Sequence, residues 1–178
     1  MQTRLAILSV TAIVLAACGG GAGGDPTATV REVFKRLEAK QFDQLTELAC
    51  ADKKEEFTER FDFSGQMAAA LPGVEAQKVL DAIAVKVTGL EVKEVSRSGN
   101  AAVVHVSGEL QLQFDAAKFK EILREVLKAQ GLGEVDDAML DQFVGPALAE
   151  FEQATELNAD VDMVNEGGQW LICGDIGG

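Results

Sequence analysis

The sequence predicts an α+β fold, and two features of its hydrophobic pattern do so. Apolar residues recur at helical spacing over residues 26–61 and again over 115–154, whereas alternation with period two governs 85–114 and 156–173. Helices first, then hairpins joined by short turns, describe helices segregated against an antiparallel sheet. Each element has its own local reason.

Asp25-Pro26 opens the folded part, an N-cap type residue followed by proline at the first helical position. Val30, Val33, Phe34 and Leu37 then mark a buried helical stripe. After Lys40-Gln41 a short helix carries Phe42, Leu45, Leu48 and Ala49, with Cys50 at its end. A third amphipathic piece covers Asp52 to Phe61 and buries Phe57 and Phe61. Pro72-Gly73 interrupts, and Val74 to Ala84 resumes helix or turn.

Strand character begins near Val85, where Gly89 marks a bulge. Ser96 to Asn100 is a hairpin turn by composition. Ala101 to Phe114 is the clearest strand, with Val104, Val106, Leu110, Leu112 and Phe114 on one face. His105, Ser107, Glu109, Gln111 and Gln113 take the other. Asp115 caps a helix with the stripe Phe119, Ile122, Leu123, Val126 and Leu127, and Gly131 stops it. Val135 to Val144 is helical with Val135, Met139 and Phe143 on one side. Gly145-Pro146 is expected to break it, with Ala147 to Ala154 continuing at an angle. The strand from Glu156 to Val164 turns at Asn165 to Gly168 and returns as Gln169 to Cys173.

Composition narrows the partners. Of 178 residues, 47% are apolar, enough for one domain with a sizeable core. The net charge of −13 repels phosphate backbones and anionic head groups. Nucleic acid and polybasic membrane docking are therefore excluded.

The first twenty residues carry a short charged start, an apolar run from Leu5 to Leu15, and then Ala16-Ala17-Cys18. Leu15-Ala16-Ala17-Cys18 resembles a bacterial lipobox, and the segment resembles a lipoprotein signal peptide. The apolar run is too short to span a bilayer, which needs ~20 residues. The resemblance implies removal of residues 1–17 and lipidation of Cys18, with acyl chains such as palmitate holding the protein to its membrane. Residues 18–24 form a Gly-rich tether of about 13 Å end to end, and residues 25–178 form one domain. The expected location is extracytoplasmic, on an outer or a plasma bacterial membrane; Gly19 after the cysteine favours the outer one where the usual sorting rule applies.

Cys50 and Cys173 then remain, in a compartment that favours a disulfide over two buried thiols. Such a bond closes a loop of about 120 residues, for which chain entropy gives ~4–5 kcal/mol. No metal or cofactor is expected: two cysteines without CxxC spacing and one distant histidine do not make a tetrahedral set.

The Asp25-Pro26 helix, the segment Gln41-Phe42-Asp43-Gln44-Leu45 leading to Cys50, and the ending Gly167-Gly168-Gln169-Trp170-Leu171-Ile172-Cys173 carry a second likeness. Together they resemble bacterial lipoproteins of the nuclear-transport-factor-2-like, or cystatin-like, superfamily. That resemblance implies a strongly curved sheet wrapped around helices as a cone with a cavity. The two helices between Phe114 and Thr155 depart from the compact pattern. They plug or lid the cavity, or enlarge the core. The superfamily holds isomerases, dehydratases, carriers and interaction domains, and fold does not choose among them. Its steroid-isomerase enzymes use a tyrosine donor, and this chain has no tyrosine.

No constellation is expected to be catalytic. His105 lies on a polar strand face, ~13 Å along the strand from Glu109 and out of hydrogen-bonding reach. Asn158, Asp160 and Asp162 share a face but fail the EF-hand register, and read as a solvated acidic surface. Lys118, Lys120, Arg124 and Lys128 either rest near the membrane or meet the acidic stretch from Glu134 to Asp141, the second being simpler. Trp170 reads first as a core anchor. The sharpest expectation is a groove for a small apolar ligand or an envelope protein, between the helices of 115–154, with Phe119, Leu123, Met139, Phe143 and Trp170 as binding residues. An enzyme of the cone type and a purely structural envelope protein are the alternatives.

Overall fold

A computed structural model describes residues 24–71, 73–131 and 136–174. The signal segment, Cys18 and the Gly-rich tether up to residue 23 lie outside the described residues, as do Pro72, Val135 and the side chains of Phe143 and Phe151. The architecture is α+β, with helices before and within a four-stranded antiparallel sheet.

Helix α1 (Pro26–Glu38) begins as the Asp25-Pro26 pair predicts: Asp25 accepts from the Thr27 amide at 2.9 Å and the Thr27 hydroxyl at 2.8 Å. Val30, Val33 and Phe34 are buried on one stripe. Phe42–Leu48 is 3-10 rather than α-helical. The tighter coil rises ~2.0 Å per residue instead of ~1.5 Å, so the same seven residues carry the chain farther. They deliver Ala49 and Cys50 to the last strand, where Ala49 bridges Ile172 and the Cys50 amide donates to the Ile172 carbonyl at 2.9 Å. A short 3-10 turn (Ala51–Lys53) leads into α2 (Lys54–Phe61), which buries Phe57. Helix α3 (Phe63–Ala70) has no counterpart in the hydrophobic pattern; Asp62 caps it by accepting from the Gly65 amide at 2.8 Å. Helix α4 (Ala76–Asp81) follows.

Strands β1 (Ile83–Ser98), β2 (Ala101–Phe114), β3 (Thr155–Glu166) and β4 (Gln169–Ile172) form a meander in sequence order. Its first and last turns are two residues long, Gly99-Asn100 and Gly167-Gly168. Both glycines of the second have positive φ, as a twist-matched hairpin turn demands. The bulge expected at Gly89 is present: Gly89 and Leu90 stand opposite Gly108 alone. It shifts the inward parity of β1 from Ile83, Val85 and Val87 to Leu90 and Val92, keeping one apolar face continuous against β2. Such a bulge also sharpens twist, which helps curl the sheet.

Helix α1 closes that curl. Arg31 Nη2 donates to the Val92 carbonyl at 3.1 Å and the Val87 amide donates to Glu38 at 3.0 Å, both on the edge strand β1. On the opposite edge, the Thr29 hydroxyl donates to the Trp170 carbonyl of β4 at 2.8 Å. One helix thereby satisfies backbone groups on both edges of the sheet, groups that would otherwise invite pairing with another chain.

Helices α5 (Ala116–Ala129) and α6 (Asp137–Phe151) lie between β2 and β3. Two expectations are corrected in α6. It runs through Pro146 without breaking, and its described buried residues are Leu140, Val144 and Leu148, one position out of phase with the predicted Met139. Positions one residue apart on a helix differ by about 100°, and Met139 consequently stands 54% exposed. Continuation of the helix through Pro146 extends the stripe of Leu140 and Val144 to Leu148.

Two apolar clusters result. The larger joins α1, the 3-10 segment, α2 and the sheet around Val104, Val161, Met163 and Ile172. The smaller joins α3, α4 and α5 around Val79, Ala82 and Ile122. The Cys50–Cys173 disulfide, with Cα atoms 5.4 Å apart and a sequence separation of 123, fastens the larger one.

Candidate functional site

Between the two clusters lies a cavity of about 240 Å3. Its floor is the half of the sheet before the bulge: Ile83 and Val85 from β1, Leu110 and Leu112 from β2, with Val85 directly opposite Leu112. Strand alternation places these four on one face. Its walls are Leu37 from the end of α1, Leu80 from α4, and Phe42 against Phe63, whose rings stack at 5.3 Å between centroids. The last of the described lining residues is Lys40, whose hydrocarbon stem faces the cavity while its Nζ is turned to the Leu80 carbonyl.

Lys40 is held by its backbone and by its tip. The Lys40 amide donates to the Leu37 carbonyl at 3.0 Å and the Gln41 amide to the Arg36 carbonyl at 2.8 Å, the paired bonds of a Schellman helix end. That motif needs a left-handed residue, usually glycine; Lys40 takes the role with φ of 59°. Its Nζ donates to the Leu80 carbonyl at 2.8 Å and so bridges the ends of α1 and α4.

Of the residues predicted to bind a ligand, Phe119, Leu123, Met139 and Trp170 are not among the described residues that line this cavity. Trp170 is a core residue, 2% exposed, with Arg97 stacked 5.1 Å from its ring centre. Phe119 packs edge-on to Phe114 and belongs to the smaller cluster; Leu123 is half-buried on α5; Met139 is exposed. Phe143 sits in α6, its side chain outside the described residues. The basic face of α5 meets α6: Lys120 pairs with Asp141 and Arg124 with Asp137. Lys118 turns instead to the Asp81 carbonyl at 3.0 Å.

His105 has a partner that its own strand does not supply. Its Nδ1 lies 2.7 Å from Asp160 Oδ1 on β3, the residue directly across the ladder. Both side chains are solvent-accessible, on the outer face of the sheet away from the cavity-lining residues. Glu166 approaches the sulfurs of Cys50 and Cys173 within 4.8 Å, but both thiols are consumed by the disulfide and offer no thiolate to a metal.

No family model matches this chain, and no curated protein does either. Fold and cavity nonetheless define a class: an α+β domain whose helices pack on a curled antiparallel sheet, an arrangement compatible with the nuclear-transport-factor-2-like cone.

Proposed function

We propose that this protein is a membrane-anchored extracytoplasmic lipoprotein whose single domain, of the nuclear-transport-factor-2-like kind, is a non-catalytic binding module for a small apolar ligand. The observation that carries the binding reading is the cavity at the seam of the two clusters, lined by eight apolar side chains and Lys40. Concave, mostly apolar sites with a few polar groups are what ligand pockets look like. At about 240 Å3 the space exceeds the ~150 Å3 engineered cavity that takes up benzene. Among the described residues the lining holds no pair of ionisable groups for acid–base chemistry, which favours the binding reading over an enzyme.

The lipoprotein reading rests on Leu15-Ala16-Ala17-Cys18. No helix among the described residues is long and apolar enough to cross a membrane. Anchoring is accordingly assigned to acyl chains on Cys18, where two or more chains give stable attachment.

Native mass spectrometry of the protein purified from its host tests both parts at once. The expected result is a chain beginning at an acylated Cys18 and carrying a small apolar adduct, which Leu112→Trp displaces by filling the cavity. An unprocessed chain without acyl mass overturns the anchoring. Failure to retain or take up any apolar compound overturns the binding reading.

A further inference from the structure

We propose that the first half of β3 is a docking edge for an extended, lysine- or arginine-bearing segment of a protein partner, which adds a further strand to the sheet. This surface is separate from the cavity and does not depend on it. Helix α1 guards backbone groups of β1 and β4. Strand β4, however, is four residues long and pairs with β3 only from Met163 to Glu166. The chain then leaves the edge at Cys173, whose amide donates to the Asp162 carbonyl at 2.8 Å and whose sulfur is bonded to Cys50. Backbone groups alternate sides along an antiparallel strand. Asp162 faces β4, so the N–H and C=O of Glu156, Asn158 and Asp160 point to the open side of β3. No hydrogen bond reaches them from the described residues.

An open edge is a template for another strand, and main-chain bonds supply the affinity while side chains choose the partner. Glu156 stands directly across the ladder from Glu109 on β2, both exposed. Like charges placed so destabilise a sheet, and a cation between them relieves the repulsion. A groove of about 530 Å3 opens there beside the Gly89 bulge, with Glu109, Ala154 and Glu156 in its walls. It lies at the start of the open edge, where an outward side chain of a docked strand would enter. Asp160, 2.7 Å from His105, and Asp162 continue the acidic row on the same face. Two copies pairing edge to edge would set two such rows side by side, under a net charge of −13 each. Charge complementarity therefore selects a cationic partner over a second copy of this chain.

Amide exchange of the full chain, read by NMR, tests this with a peptide of about eight residues that alternates lysine and valine. With peptide at about a hundredfold its Kd, the Asn158 and Asp160 amides should exchange about a hundredfold more slowly, since only the free edge exchanges. A peptide alternating glutamate and valine should bind at least about tenfold more weakly. Glu109→Gln with Glu156→Gln should weaken the lysine peptide about tenfold. Methylating the backbone nitrogens of that peptide that face β3 keeps its charge, removes its donors and should abolish binding. Asn158→Pro, which removes an edge donor but no ladder bond, should weaken it as well; if that variant does not fold, the methylated peptide makes the same test. Equal binding of the lysine and glutamate peptides overturns the cationic assignment, and equal binding of the methylated peptide overturns strand pairing. Concentration-dependent protection without peptide assigns the edge to a second copy, and protection lost on removing residues 175–178 assigns it to the chain's own end. Either of these, or no slowing with any peptide, overturns the proposal.

Discussion

The two halves of the curled sheet, divided at the Gly89 bulge, are built for different ends. Beyond the bulge, Val92, Val104, Val106, Val161 and Met163 are buried, α1 spans the sheet edges, and the Cys50–Cys173 bond ties the final strand to the end of the 3-10 segment. Before the bulge, Ile83, Val85, Leu110 and Leu112 are only half-buried, because the helices above them leave a cavity. Gly108 marks the division: a Cβ there would come within 3.0 Å of the Thr88 carbonyl oxygen and 3.2 Å of the Leu90 Cα. What the contrast teaches is that apolar patterning alone does not distinguish a filled wall from a receptive one. The difference lies in what the other elements bring opposite.

If the stapled half carries the stability, opening the disulfide should have the largest effect. Replacing Cys50 and Cys173 together by alanine is expected to cost about 4–5 kcal/mol, read as a fall in urea midpoint that reductant reproduces in the unmodified protein. A loss under 1 kcal/mol would break the comparison.

Paired truncations sharpen it. Ile172→Ala, at 0% exposure in the larger cluster, should cost about 3–5 kcal/mol, and Ile122→Ala, at 6% in the smaller, about 2 kcal/mol. The ordering follows because a site beside open space collapses or hydrates more readily than one enclosed on all sides. Equal losses would mean that the two clusters are one core.

A smaller effect is expected where α5 meets α6. Arg124→Ala, which removes the contact to Asp137, should change stability by less than about 1 kcal/mol, since both partners are substantially exposed. Amide exchange in these two helices should be faster than in β2 and β4, because α5 has a single buried residue, Ile122.

The smallest expected effect is on pH. A hydrogen bond from the Thr27 hydroxyl holds the Asp25 carboxyl below its ordinary value, and ion pairing with Arg36 does the same for Glu32. Groups lowered in the folded state contribute stability above their unfolded pKa, near 4 for carboxylates, and that contribution is lost as pH falls through the folded value. Both belong to α1, so acid titration should first loosen the helix that closes the sheet. Exposure makes the change slight. In Asp25→Asn the acid loss should shrink, as thermal melts between pH 5 and pH 3 would show.

Much of this architecture is legible from residue patterns, and the exceptions have physical causes. Asp25-Pro26, the alternation in β2 and β3, and the bulge at Gly89 are local signals, and local physics sets them. Helix α3 escapes notice because none of its residues is buried and only Phe63 and Met67 give it large apolar side chains; the Asp62 cap and the alanine run were its available signals. In α6, two apolar stripes one residue apart compete, and packing against the rest of the domain favours Leu140, Val144 and Leu148.

The cavity was the least legible part. Its lining comes from segments as far apart as Leu37 and Leu112, and the bulge changes which residues of β1 face inward. Lys40 reads as a break between helices until its left-handed backbone and its bond to the α4 carbonyl are seen together. The His105–Asp160 contact likewise needs strand register, which places Asp160 across from His105.

Methyl-resolved NMR of the full chain during titration with a neutral apolar probe, octanol, bears most directly on the central claim, that the receptive wall is the sheet half before the bulge. The account predicts saturable shifts at Leu37, Leu80, Ile83, Val85, Leu110 and Leu112, with Ile172 and Val104 still. Saturable shifts centred instead on Leu123 and Met139, or none anywhere, would contradict it.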